Sequence, residues 1–345
     1  MKSHKKSICY KVIFLSCILA LTACGGSSSD STTNTTDTTD TTDTTDTTDT
    51  TDTTDTTDTT DTSARLDITD AIFTNTSSDC ADYDNSYEAD VTDVQEATDF
   101  ILDVVISSND SDCMISSNNI PNHDFNATGN FATVTREVSQ EFIIDRAPVL
   151  ADTTTALSQQ QYDVVMLNGV PLDILSAGCY VNGADVQVGC STDDDWLLDP
   201  LSTDGAFGAD EHNAHTQPTG VYHYHGSPEA MFDPDDNTAA SPVIGFAADG
   251  FPVYGLYFTD TDGSISKATS SYSLKSGSRG TESDSNPGGD YDGKYIDDYE
   301  YVANSGDLDE CNGMTVNGQY GYYVTESYPW VIACFSGTPA SSFNK

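Results

Sequence analysis

The apolar positions of the chain fall into two rhythms. Between Thr92 and Val105, Ala97, Phe100, Ile101, Val104 and Val105 recur at steps of three and four, and Thr92 with Gln95 has the form of a capping box, so the spacing predicts an early amphipathic helix. Beyond it the rhythm shortens to alternation and to brief apolar runs cut by turn residues. "QYDVVMLNGVPLDI" predicts a hairpin about Asn168-Gly169, "CYVNGADVQVGC" another about Asn182-Gly183, and "SPVIGFAADGFPVYGLYF" a strand, a turn at Asp249-Gly250 and a second strand. "GQYGYYVTESYPWVIACF" is rich in strand-forming aromatics. In "VYHYHG", His223 and His225 share one face of a strand and Tyr222 and Tyr224 the other. The expected fold is mostly β, a β-rich α+β domain with one early helix; the pattern does not fix the order of strands in the sheet.

Two segments at the start of the chain stand outside this pattern. Residues 1–23 pair a basic stretch (Lys2, His4, Lys5, Lys6) with an apolar run from Val12 to Leu21, the form of an export signal. "LTAC" then resembles the lipobox of bacterial lipoproteins, which implies cleavage before Cys24 and acylation of that cysteine, so the expected partner is a lipid bilayer. Gly25 stands where aspartate would hold a lipoprotein in the inner membrane, which favours an outer-membrane or cell-surface location. Residues 24–63 include nine consecutive Thr-Thr-Asp triplets and no side chain worth burying, the composition of a disordered linker with a reach on the order of 40 Å. The folded domain is expected over 64–345.

Charge and cysteine content narrow the class further. With 12 basic and 56 acidic residues the chain has a formal net charge of −44, which excludes nucleic-acid backbones and anionic membrane surfaces as partners. Six cysteines remain beyond the anchor: Cys80, Cys113, Cys179, Cys190, Cys311 and Cys334. An even number in an exported chain points to disulfides, and proximity favours 80 with 113, 179 with 190, and 311 with 334.

Four of the six histidines fall within residues 209–226. His223 and His225 on alternate strand positions can reach one ion, His215 can approach across the turn "TQPTG", and His212 can add a fourth nitrogen. Neutral imidazole suits zinc, copper, nickel or iron, with copper or zinc favoured here. The competing account is a tyrosine-histidine ladder that staples strands. Asp210 and Glu211 serve either account, as acceptors for imidazole N–H groups or as solvated charges. The acidic turns at 233–238, 259–263 and 289–298 make calcium a weaker candidate, since none has the EF-hand pattern. Asp249 most simply holds its turn, and becomes a ligand or base only if its loop faces the histidines.

"YHYHG" followed by "SPVIGFAADGFPVYG" resembles the YHYH domain family of exported proteins. The likeness extends through "IPNHDFN" (120–126), "MLNGVPLDILSAGCY" (166–180), "WLLDP" (196–200), "HNAHTQPTGVYHYHG" (212–226) and "GDLDECNGMTVNGQYGYYVT" (306–325). The resemblance implies an extracytoplasmic, metal-associated, β-rich domain and no particular reaction. It also brings His123, in "IPNHDFN", into the candidate ligand set. Some members repeat a histidine pair late in the domain, where this chain has Tyr322 and Tyr323.

No GxSxG, GxxxxGK[ST] or HExxH occurs, so esterase, nucleotide-hydrolase and zincin chemistries have no support. Three functions stay open. The first is a surface-tethered lipoprotein that binds copper or zinc. The second is a metal-dependent enzyme, hydrolase or oxidoreductase, on the same histidines. The third is a structural, adhesive or calcium-binding surface domain.

Overall fold

The computed structural model describes residues 64–181, 183–190, 196–202 and 208–345. The leader, Cys24 and the Thr/Asp-rich linker lie outside the described residues. Five strands form a first sheet in sequence order: β1 (Leu66–Asp67), β2 (Asn85–Asp93), β3 (Thr98–Ser108), β4 (Asp112–Ser117) and β5 (Gln140–Asp145). A short β6 (Thr155–Ala156) follows, then β7 (Val164–Met166), β8 (Pro171–Leu172), the hairpin β9 (Gly178–Val181) and β10 (Ala184–Val188), β11 (Ala214–Thr216), β12 (Tyr222–Tyr224), β13 (Val243–Ala247) and β14 (Pro252–Tyr254). Six short strands between Tyr257 and Tyr301 (β15–β20) pair two by two, and β21 (Gly313–Val316), β22 (Gln319–Tyr323) and β23 (Cys334–Phe335) complete the chain. The second, eight-stranded sheet has the order β11-β12-β8-β7-β13-β14-β22-β21. The fold is mostly β. Helical structure among the described residues is confined to four 3₁₀ turns.

The early amphipathic helix is therefore corrected: residues 98–108 are strand β3, paired antiparallel with β2. Phe100 and Val104 of the helical set also fit a period of two, with Leu102 and Ile106. Leu102, Val104 and Ile106 turn into the core while Ile101 and Asp103 stay exposed, and opposite them Tyr87, Ala89 and Val91 of β2 alternate in the same way. Branched side chains at Ile101, Val104, Val105 and Ile106 fit a pleated surface better than a helical turn. Thr92 does not cap a helix, because its amide donates to Asp124 Oδ1 at 2.8 Å, and the Gln95 side chain donates to the Gly129 carbonyl. Ala97 closes the turn with φ of 49°.

The turns built on Xaa-Gly pairs do form. β7 and β8 pair antiparallel about Asn168-Gly169, and β13 and β14 about Asp249-Gly250. β9 and β10 also pair antiparallel; Gly183 has φ of 74°, while Asn182 lies outside the described residues. Gly169 has φ of 77°, and a Cβ there would sit 2.3 Å from Ser117 Oγ of the first sheet, so the hairpin can approach β4 only because glycine has no side chain. One hydrophobic cluster joins Leu102, Val104, Ile115 and Phe142 of the first sheet to Val165, Tyr222 and Phe246 of the second.

Three disulfides connect the pairs that sequence proximity favours. Cys80–Cys113 ties a 3₁₀ turn to β4, Cys179–Cys190 spans the β9–β10 hairpin, and Cys311–Cys334 joins the approach to β21 to β23. No helix among the described residues is long and apolar enough to cross a membrane.

Candidate metal centre

The hairpin β11–β12 sets the register of the histidines. His215 and His223 lie directly opposite each other, and His225, two residues further along, falls on the same face. The buried carboxylate of Asp210 organises the entry to the hairpin. Its Oδ1 accepts the amides of His212 (3.0 Å) and Ala214 (3.2 Å), while Oδ2 accepts the Asn126 amide (2.9 Å) and the Tyr222 hydroxyl (3.0 Å). Asn213 takes φ of 59° so that its carbonyl meets the His225 amide at 2.8 Å. Tyr222 and Tyr224 are fully buried on the face opposite the histidines.

Three Nε2 atoms converge as a result. His225 Nε2 lies 3.0 Å from His223 Nε2 and 3.1 Å from His215 Nε2. The rings meet edge to face, with centroids 4.6–4.8 Å apart and interplanar angles of 66–89°. His223 Nδ1 lies 3.3 Å from the Val221 carbonyl, which can only accept, so the proton of a neutral His223 belongs on Nδ1 and Nε2 presents a lone pair. Burial, followed by the adjacent imidazoles, holds His223 and His225 well below the ordinary histidine range. Both rings are therefore neutral at physiological pH, the state that ligates metals.

His123 and His212 are not brought into this cluster. His123 Nε2 contacts the Tyr224 hydroxyl at 2.9 Å, and its Nδ1 lies 2.9 Å from the Asp124 carbonyl. Its ring packs against His212 at 3.9 Å, and His212 Nε2 in turn lies 3.1 Å from the Asp124 carbonyl. This pair is on the tyrosine side of β12, separated from the triad by the strand itself. Burial, then the His212 ring, pushes His123 down to about 3. Glu211, the other acidic neighbour, accepts from the Thr128 amide and hydroxyl. Asp249 receives the Tyr322 hydroxyl (2.6 Å) and the Gly337 amide (2.8 Å) on Oδ2, and it does not line the cavity that the histidines face. In the acidic turns, Asp233, Asp236 and Asp262 accept amides of their own turns, and Asp292 and Asp298 pair with Arg279.

The family model described as YHYH protein matches residues 141–337. The chain belongs to the YHYH family. No match was found among curated proteins or among solved structures. The matched segment contains the whole β11–β12 hairpin and leaves out His123 and strands β1–β4.

Within this YHYH domain the triad forms one wall of a cavity of about 410 Å³. Sequence reasoning missed the other polar side chains that line it, among them Asp173, Gln217 and Lys345. Asp173 arrives because β8 pairs parallel with β12 at Leu172 and Tyr224, after which the Asp173 amide donates to the Tyr224 carbonyl at 2.8 Å. Its Oδ2 accepts Gln217 Nε2 at 3.2 Å and an ion pair from Lys345, and burial raises its carboxyl to about 6. A parallel contact between strands some fifty residues apart leaves no local mark in sequence, so the motif at 166–180 contains Asp173 but does not place it beside the histidines.

Proposed function

We propose that the YHYH domain binds a transition metal ion, copper or zinc, through Nε2 of His215, His223 and His225. The observation that carries this reading is the environment of His225 Nε2. A ring nitrogen has one in-plane position, occupied by either a proton or a lone pair. His225 Nε2 faces two other ring nitrogens at 3.0 and 3.1 Å, so a proton there is divided between two acceptors, and a lone pair there meets the lone pair of His223. One cation shared by three lone pairs removes the conflict. Nitrogens bound tetrahedrally to zinc at about 2.0–2.1 Å stand about 3.3–3.4 Å apart, so the rings need spread by only a few tenths of an ångström.

A tyrosine-histidine ladder has less support, because the tyrosine hydroxyls bond to Asp210, Asn168 and His123 on the opposite face and not to the triad. Calcium has less still, since imidazole nitrogen is not a ligand of that hard cation. One observation favours the enzymatic reading, hydrolase or oxidoreductase: the triad opens onto a cavity, and three protein ligands beside an open position are the form of catalytic zinc sites. The leader sequence supports an extracytoplasmic, lipid-anchored location through Cys24, at the outer membrane or cell surface.

The test of the metal reading is elemental analysis of the chain after metal loading and dialysis, with the expected result of about one copper or zinc per chain. A protein that retains neither, and whose melting temperature is the same in chelator and in added metal, would make the cluster architectural. For the anchor, Cys24→Ser is expected to release the chain from membranes, and an unchanged membrane fraction would count against acylation.

A further inference from the structure

Beyond the triad, the cavity has a second feature that asks for a ligand. Its remaining wall is divided by chemistry. Ala132, Leu175, Ala177 and Pro218 provide an apolar part, and among the described lining residues Lys345 is the only lysine or arginine. The Lys345 ammonium has three donors, of which one is taken by Asp173 Oδ2. It lines the same cavity as His215, His223 and His225.

A metal held by neutral imidazoles keeps its full charge, and Asp173, the one aspartate or glutamate among the described lining residues, is already shared between Lys345 and Gln217. Positive charge therefore accumulates at one end of a largely apolar, partly enclosed space, where charge is poorly screened. The volume of about 410 Å³ is in the range of small-molecule sites.

We infer that the cavity binds a small monocarboxylate with an apolar body, its carboxylate lying between the metal on His215, His223 and His225 and the Lys345 ammonium, and its body against Leu175 and Pro218. The inference rests on the metal reading above. A dicarboxylate is disfavoured because no second cation lines the far wall among the described residues, and a neutral isostere leaves the metal without a counter-charge.

The experiment is calorimetric titration of the zinc-loaded full chain with benzoate, acetate and benzyl alcohol, with zinc content measured in the same samples. Benzoate is expected to bind at least tenfold more tightly than either acetate or benzyl alcohol, and at least tenfold more tightly to zinc-loaded than to metal-free protein. Lys345→Met is expected to weaken benzoate about tenfold with zinc affinity unchanged, and Lys345→Arg to restore most of the loss. Zinc retained, but benzoate no tighter than benzyl alcohol or indifferent to Lys345→Met, overturns the carboxylate site and leaves the metal reading standing. Acetate equal to benzoate overturns the apolar body. Zinc not retained by wild type overturns the metal reading, and the inference with it.

Discussion

Strands β12 and β22 of the large sheet follow the same plan up to a point. Each sends a tyrosine to a buried aspartate: Tyr222 donates to Asp210 Oδ2 at 3.0 Å, and Tyr322 to Asp249 Oδ2 at 2.6 Å. They part on the other face. There β12 and the residue after it offer His223 and His225 to a cavity, whereas β22 offers Tyr323, stacked on Tyr254 with centroids 5.0 Å apart and an interplanar angle of 21°. The β22 side is also clamped by Cys311–Cys334, and no described disulfide crosses β11–β12. The tyrosine-aspartate bond is thus a device for seating a strand, and the chemistry is set separately by the alternate positions.

The clamp is the largest part of that contrast to remove. Replacing Cys311 and Cys334 together by Ala is expected to cost about 3 kcal/mol in urea denaturation, since the bond closes a loop of 23 residues, while zinc affinity stays constant. A fall in affinity would show that the two strands act as one unit. Next comes the chemistry: His223→Ala should weaken copper or zinc by about 100-fold or more in competition with a chromophoric chelator, because losing a ligand exceeds the cost of losing its supporting contacts. Tyr323→Ala should leave that titration unchanged.

The shared device gives smaller effects. Tyr222→Phe and Tyr322→Phe each remove one hydrogen bond to a buried carboxylate and are expected to cost about 1–3 kcal/mol. Equal losses in thermal unfolding would support a common role; a loss at only one of the two would end the parallel. The last difference is negligible at neutral pH and shows only in acid. His123 stays neutral in the fold down to about 3, while an unfolded imidazole takes up its proton near about pH 6.5. The unfolded chain binds the extra proton throughout that window, so stability falls as pH drops through it. His123→Gln should flatten the fall between about pH 6.5 and 3, and an identical pH profile for variant and wild type would show that His123 is protonated in the fold.

The β-rich class, the hairpins at Gly169 and Gly250, the three disulfides and the shared face of His223 and His225 were legible because each rests on contacts within a few dozen residues. Gly169 announces its turn by needing positive φ, and β12 announces its faces by alternation. The β2–β3 hairpin was misread because its turn is closed by Ala97 with no glycine, and because Phe100 and Val104 fit the helical spacing while also alternating with Leu102 and Ile106 on one strand face. His123 belongs near the hairpin, as its motif suggested, yet its Nε2 is committed to Tyr224, a partner 101 positions away. The cavity was illegible for the same reason, since Asp173 reaches it through β8 and Lys345 through an ion pair spanning 172 positions.

Alternation along β12 also acts as a parity check on assembly. A shift of this strand by one residue against β11 would exchange its two faces at a stroke, turning neutral imidazoles toward Phe125 and Phe131 and phenols toward the open cavity. The Tyr222–Asp210 bond would be lost in the same movement, leaving a buried carboxylate without its hydroxyl. An error of this kind has no partial form: the register that seats Tyr222 on Asp210 is the same one that brings the three nitrogens together.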